Sequence, residues 1–443
     1  MALVVLDAGL INVALPSLAR SLGVAPAQII MAVSCYQAAL VVGLLPSAHV
    51  AERFGERRVF IAGLLLFTAA SVGCANAVNL PMLLIARVLQ GLGGGAIMAL
   101  GVALLRSALG TDRLGMAIGW NALTVAVCGA AAPFCGAAIV AIAPWPWLFM
   151  IKLPLAAVSL FASMALPVDR RRASHIDIAS LFLHVGTCCA FMVAAQIGAD
   201  HGWVAISITA LAIASATMMI LRGRHAKQPV WPTDLLALRP LRISVAASIC
   251  CFTAQSAGLI ALPFHLQLNL GSGPLGAGTI LSLWPLTVAA TSVVAGRVSE
   301  RFGSPLLCVV GGMVLGSGLL LSTLHTSNMF AQMAAGAALC GLGFGLFQVP
   351  NNRTLFLAAP AHRSAAAGGM QGTARVVGQT TGAMLMGWLF ATASTQNAPT
   401  LGFAVGFLFA FAAAAISSLA LVERAEPRFR KLRNVMAQTI GGE

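Results

Sequence analysis

The sequence predicts an all-α integral membrane protein built from two six-helix bundles of like fold, with two further helices inserted between them. Three observations predict it. Of 443 residues, 59% are hydrophobic and 9% are charged, where a soluble protein carries about 25% charged residues. Apolar windows of about 20 residues, the length that crosses a bilayer, recur along the whole chain. A short acidic-basic motif stands at equivalent helix ends in the two halves.

The windows fall near 1–15, 27–48, 59–78, 80–105, 114–142, 145–167, 178–197, 203–221, 244–269, 274–296, 305–324, 329–350, 364–393 and 401–422. That is an even number, fourteen. The even connectors collect the basic residues, among them Arg53, Arg57, Arg58, Arg106, Arg170, Arg222, Arg297, Arg301 and Arg353. The odd connectors carry little beyond Arg20. The positive-inside rule therefore puts both termini in the cytoplasm. It also explains the net charge of +14 without nucleic acid. The ten cysteines lie mainly within apolar windows and read as buried thiols, not disulfides. Met1 to Leu15 lacks a basic n-region and carries Asp7, so a signal peptide is not expected. The first window is short, and we expect its true start upstream of Met1.

Span 1 holds the one acidic residue well inside any window, Asp7, and a polar Asn12. If span 1 ends outside near Leu15 and span 4 starts outside near Pro81, Asp7 and Arg87 each lie roughly 9–12 Å below the outer surface at 1.5 Å per residue. That allows a direct or water-mediated pairing; the other reading has Asp7 facing the cytoplasm at a frayed end. A lone arginine in a membrane helix costs roughly 2.5–3.5 kcal/mol and so wants a partner.

After span 2 comes Ala51-Glu52-Arg53-Phe54-Gly55, followed by Glu56-Arg57-Arg58; after span 10 comes Ser299-Glu300-Arg301-Phe302-Gly303. Gly55 suits a left-handed helix end. Acid, base and glycine repeated in one orientation point to two bundles related about the membrane normal. They also point to a charge-linked latch between conformations.

In span 4, Arg87, Gln90 and Gly94 share one helical face, with Gly91 beside them. The run Gly91-Leu-Gly93-Gly-Gly-Ala96 imitates a dinucleotide fingerprint but has no preceding strand, so that reading is rejected. Span 5 carries Gly129, Pro133, Gly136 and Ala137 at small-residue packing spacing. Together Gly91, Gly94, Pro133 and Gly136 are expected to let spans 4 and 5 slide tightly. Lys152 in span 6 either snorkels to the outer interface or lines a cavity. In span 13, Gln371, Arg375, Gly378, Gln379 and Gly382 form a polar and small stripe. Asn12, Gln90, Lys152, Gln255, His265 and Arg375 are the candidates to line a substrate cavity, while His184 and His265 read more readily as structural polar groups. No phosphate loop, metal-ligand cluster or catalytic triad is found in the sequence, so neither an enzyme nor direct use of ATP is expected.

These motifs together resemble the major facilitator superfamily, and within it the fourteen-helix drug:proton antiporters. Leu6-Asp7-Ala-Gly-Leu-Ile-Asn12-Val-Ala-Leu-Pro16 is similar to the family's span-1 signature, Arg87-Val-Leu-Gln90-Gly91 to its span-4 motif, and Ala132-Pro133-Phe-Cys-Gly136-Ala137 to its antiporter motif. Trp145-Pro-Trp147-Leu-Phe149-Met-Ile-Lys152-Leu-Pro154 resembles the start of span 6, with Lys152 in place of a common asparagine. Glu52 replaces an aspartate, Ala48 a glycine, and Ser304-Pro305 stands where the second copy is usually basic, although Gly296 is kept.

The resemblance implies a multi-pass cytoplasmic-membrane exporter of small hydrophobic compounds, driven by the proton gradient with no cofactor, working by alternating access. Asp7 and Arg87 would couple protons: burial disfavours an ionised carboxyl and a nearby arginine favours it, so a change of surroundings loads or releases a proton. Glu52, Arg53, Gly55, Arg57, Arg58, Gly91, Gly94, Pro133, Gly136, Gly296, Glu300, Arg301 and Gly303 would carry the conformational motifs. A dication would want further buried carboxylates, and spans 9–14 hold none. Neutral, monocationic or anionic substrates are therefore expected, with protons and the bilayer as the other partners, no nucleic acid and no need for an oligomer. A flippase or exporter of an endogenous lipid, envelope precursor or metabolite shares these features, and a non-transporting sensor or assembly protein is the reading of another class. The expected units are 1–168, the inserted pair 169–222, a connector 223–243, a second bundle 244–422 and a cytoplasmic tail 423–443.

Overall fold

The computed structural model describes residues 1–109, 114–166, 179, 182–187, 189–190, 202–223, 233–324, 328–359 and 364–440. Among these residues the chain is helical, with no strand. Ten of the described helices are long and apolar enough to cross a membrane. The first half comprises α1 (Ala2–Leu22), α2 (Pro26–Phe54), α3 (Glu56–Ala75), α4 (Leu80–Leu109), α5 (Leu114–Ile142), α6 (Trp147–Met150) and α7 (Leu153–Met164). After α8 (Gly202–Gly223) and the short α9 (Thr233–Leu236), the second half comprises α10 (Arg239–Phe264), α11 (Pro274–Phe302), α12 (Ser304–Leu321), α13 (Met329–Ala358), α14 (Ser364–Thr392) and α15 (Ala398–Ile440). Most of the expected span 178–197 lies outside the described residues, as do Arg170 and Lys227.

Several boundaries differ from the sequence reading. Helix α1 does not stop near Leu15 but runs through Pro16 to Leu22, where Gly23 ends it in the left-handed conformation (φ 64°, ψ 33°). At 21 residues the helix is long enough to cross a bilayer. Span 6 is divided into α6 and α7, because Pro154 has no N–H with which to continue the ladder at the Ile151–Lys152 turn. Helix α10 gives way to a wide π turn at His265–Asn269. Helix α15 continues beyond its apolar part to Ile440, over the stretch expected to be a tail.

The two halves repeat one packing pattern. In the first, α4 lies along α2 and α3, and α1 along α5; in the second, α13 lies along α11 and α12, and α10 along α14. The halves meet through α2 against α14 and α5 against α11, a pair of contacts that exchange under the same correspondence. Turn geometry repeats as well. Gly55 (φ 97°, ψ 139°) and Gly303 (φ 86°, ψ 142°) each separate two helices by a single residue, and each donates its N–H to the residue four back, Ala51 or Ser299. Neither glycine is in the expected left-handed helical basin. Both occupy a positive-φ extended region open to glycine, because the next helix starts at once in a new direction.

Glycines set how close the helices come. A Cβ on Gly95 would stand 2.8 Å from the Leu40 carbonyl oxygen, and one on Gly93 2.6 Å from the Phe67 nitrogen. Helices α2, α3 and α4 thus touch backbone to backbone, the close approach that small residues permit in membranes. The second half repeats this, with Gly311 against the Phe347 nitrogen at 2.6 Å. Of the inserted segment, Thr187 donates to Ser215 on α8 at 2.9 Å, and a ring nitrogen of buried His184 lies 3.4 Å from the Val41 carbonyl on α2. His184 is therefore a packing contact with the first bundle.

Candidate functional site

A buried ionic cluster stands where α1, α3, α4 and the α6–α7 break converge. Asp7 is 1% exposed, Arg87 0% and Lys152 2%. Arg87 donates from one terminal nitrogen to Asp7 Oδ2 at 2.5 Å and to Gln90 Oε1 at 2.6 Å, and from Nε to the Ala32 carbonyl at 3.0 Å. Lys152 Nζ donates to the other carboxylate oxygen, Asp7 Oδ1. Gln90 completes the ring, donating from Nε2 to Asp7 Oδ1 (3.1 Å) and to Ser71 Oγ (2.8 Å). One carboxylate thus meets two cations and an amide in a site closed to water.

Aromatic faces line the cations. The Arg87 guanidinium lies 4.0 Å from the Tyr36 ring centroid, and Lys152 Nζ lies 4.8 Å from Phe149 and 5.6 Å from Phe67. Such faces are attractive to a desolvated cation by about 2 kcal/mol. The hydrogen bonds and ion pairs of the cluster are all local to the first half.

Arg87 and Gln90 share a face of α4, and the structure brings both to Asp7. Lys152 does not snorkel; the turn before Pro154 sends its chain inward to Asp7. Asn12, Gln37, Gln255 and Tyr36 each keep a side-chain oxygen sealed from solvent without a hydrogen-bond partner, and Arg375 its Nε. Arg375 has no carboxylate partner among the described residues. His265 opens the π turn, where Asn269 meets its Nδ1 at 3.2 Å and Phe403 packs edge-on at 5.7 Å; it belongs to that turn.

The glycine motifs work differently from expectation. Gly91 seats α2, not α5: an added Cβ would strike the Tyr36 carbonyl and stand 2.7 Å from Ala39 Cβ. Gly94 has ordinary room, its nearest neighbour being Tyr36 Oη at 3.4 Å. Gly136 seats α1, with the Leu10 carbonyl oxygen at 2.8 Å. Pro133 and Ala137 face Gly278 of α11, across the meeting of the two halves. Spans 4 and 5 are thus not a sliding pair; each glycine face follows a different neighbour. Gly296 stands in open space, so packing does not require a glycine there. At the loop motif, Arg57 donates to the Leu166 and Met164 carbonyls (2.9 and 2.5 Å), capping the end of α7. Arg53 and Arg301 lie over Phe54 and Phe302 at 5.7 and 5.9 Å, one more repeated detail. Arg58 is exposed, and the side chains of Glu52 and Glu300 lie outside the described residues.

Tyr36, Phe67, Ser71, Cys74 and Phe149 were not among the sequence candidates. Tyr36 is the only tyrosine of the chain, which could have singled it out; the others are ordinary apolar or small residues in ordinary spans.

A family model described as Major Facilitator Superfamily matches residues 1–181 and 243–438. The chain belongs to the major facilitator superfamily. It is a multi-pass membrane transporter, not an enzyme. An "uncharacterized transporter YebQ" of Escherichia coli K12 is 36% identical over 97% of this chain and 94% of its own length. The tetracenomycin C resistance and export protein of Streptomyces glaucescens is 27% identical over 88% of this chain and 74% of its own. The riboflavin transporter RibZ of Clostridioides difficile is 24% identical over 88% and 86%. A solved POT-family peptide transporter in complex with sulfate superposes with a TM-score of 0.70 over 96% of this chain and 94% of its own, at 16% identity. That likeness is one of fold. Within this fold the cluster lies inside the first half of the transporter.

Proposed function

We propose that this superfamily member is a proton-coupled exporter of small hydrophobic compounds in the cytoplasmic membrane, and that the coupling runs through Asp7 and Arg87. The observation that carries the reading is the sealed contact of the lone membrane-embedded acid with the span-4 arginine. A change in the protonation of this cluster alters how many charges must stay paired away from water. A conformational change that opens or seals the site is thereby linked to proton movement. The close contact of Pro133 and Ala137 with Gly278, small residues where the two halves meet, supports rocking of one bundle against the other.

The name of one relative, the tetracenomycin C resistance and export protein, supports the direction, and the family supports a small-molecule cargo. Between residues 243 and 422 the one acid is Glu300, while Arg375 is a cation without a carboxylate partner among the described residues. The second half therefore offers nothing to neutralise a second cargo charge, and bis-cations are poor substrates. The test is reconstitution in vesicles under an imposed pH gradient, with ethidium as a monocationic probe, riboflavin as a neutral one and a bis-quaternary dye as the contrast. Gradient-driven movement of ethidium or riboflavin that is abolished in Asp7→Asn and Arg87→Ala supports the reading. Robust export of the bis-quaternary dye, or gradient-driven export unaffected by either substitution, overturns it.

A further inference from the structure

We propose that the coupling proton is carried on Lys152 Nζ, with Asp7 remaining a carboxylate throughout. The inference rests on the proposed coupling role of the cluster and names its mobile atom.

A count of charge carries it. Asp7 is the one anion in the site; Arg87 and Lys152 both donate to it, and all three are at most 2% exposed. Fully charged, the cluster holds one surplus positive charge where water cannot reach it. An isolated charge in such a place is costly, and a group that can lose its charge does so. Protonating Asp7 makes this worse, since it leaves two cations facing no anion. Arginine does not give up its proton in proteins. Lysine does so readily when desolvated. Releasing one proton from Nζ leaves a neutral amine, one carboxylate and one guanidinium, a balanced set.

The surroundings hold no better donor or acceptor. From α2 comes Tyr36, whose hydroxyl has no hydrogen-bond partner to receive its proton. From α3 come Ser71 and Cys74, both turned to Gln90, the thiol at 3.8 Å and the hydroxyl at 2.8 Å. From α4 come Arg87 and Gln90, from α6 the Phe149 face, and from α14 Arg375, a further cation beyond Tyr36. Lys152 itself stands at the junction of α6 and α7, where Pro154 breaks the helix ladder. A small rotation at that break turns Nζ away from Asp7.

The step is a simple proton transfer. When the site opens to the cytoplasm, an N–H bond of the ammonium breaks, the proton passes to water in the opened path, and the electron pair stays on nitrogen. When it opens to the other side, the lone pair takes a proton from water. Cargo that fills the cavity excludes water and favours the neutral amine, so cargo and proton exclude one another.

Lys152, Lys227 and Lys431 are the three lysines of the chain, which makes a direct experiment practical. Full-length protein carrying Lys227→Arg and Lys431→Arg is labelled with ¹⁵N at lysine Nζ and ¹³C at aspartate Cγ, then titrated in lipid by solid-state NMR. The expected result is a lysine nitrogen that moves from ammonium to amine as pH rises, while the Asp7 carbon, assigned by its loss in Asp7→Asn, keeps its carboxylate shift. An Asp7 carbon that becomes a carboxylic acid while Lys152 stays an ammonium overturns the proposal. In vesicles, Lys152→Arg keeps the charge and the contact but not the proton release. We expect it to exchange ethidium down its concentration gradient yet lose the stimulation by a pH gradient. Wild-type stimulation in Lys152→Arg overturns the proposal. If the unsubstituted protein shows no gradient-driven ethidium movement, the exporter reading fails for this cargo, and the NMR titration alone still decides where the proton sits.

Discussion

The Arg87 guanidinium lies 4.0 Å from the centroid of the Tyr36 ring, and the hydroxyl at the far end of that ring meets no hydrogen-bond partner. The ring thus contributes its face and not its oxygen. Leaving a buried hydroxyl unpaired costs about 1–3 kcal/mol, so Tyr36→Phe should unfold at an equal or higher temperature than the parent. Tyr36→Leu removes the face under the cation and should lose about 2 kcal/mol. Thermal unfolding of the two variants in one detergent checks the pair.

Asp7 answers to two cations, so its removal is worse than the removal of either. Breaking a buried pair by deleting one partner costs about 3–5 kcal/mol, because the other charge stays buried. Asp7→Asn should therefore be markedly destabilised, and the double variant Asp7→Asn/Lys152→Met should recover part of the loss. A double-mutant cycle in denaturation midpoint reads this; strict additivity would contradict the shared site.

Gly91 and Gly94 sit one turn apart on α4 but differ in their space. Gly91→Ala pushes α2 from α4 and should lower folded yield and unfolding temperature by the equivalent of about 1–3 kcal/mol, the usual cost of overpacking. Gly94→Ala should be nearly silent. Size-exclusion profiles after heating separate the two.

The Cβ of Ala137 and the carbonyl of Pro133 crowd Gly278, where α5 meets α11. Gly278→Val cannot be seated with the two helices in this position. The variant should shift toward the opposite opening of the two halves rather than unfold, because only an inter-bundle contact is lost. Distances between spin labels on the outer ends of α5 and α11 should lengthen; unchanged distances would refute this.

The helices, the repeat and the opposed pair Asp7 and Arg87 were legible because each depends on a local or periodic property. Apolar length finds spans, and a charge in hydrocarbon is conspicuous in any alignment of one. Lys152 was harder: its depth is readable, but its direction is set by the break before Pro154, which turns the side chain inward. The partners of the span-4 glycines were not legible. Small residues say that something comes close but not what, so the sequence pattern pairs Gly91 with α5 where the structure seats it on α2. Aromatic residues such as Phe149 and Phe67 were invisible for the same reason, since nothing in an apolar run marks the ring that faces a cation. Arg57 was seen as a charge in a cytoplasmic loop, and its capping of α7 spans 109 positions that no local pattern connects.

The ionic cluster also constrains how the molecule is made. Asp7 leaves the ribosome first, Arg87 follows 80 residues later, and Lys152 145 residues later. At roughly 5–20 residues per second, Lys152 appears roughly 7–30 s after Asp7. For that interval the first helix carries a carboxylate whose full complement of partners has not been synthesised. The same contact that seals the finished protein thus leaves its first helix without all its partners until Lys152 has been made.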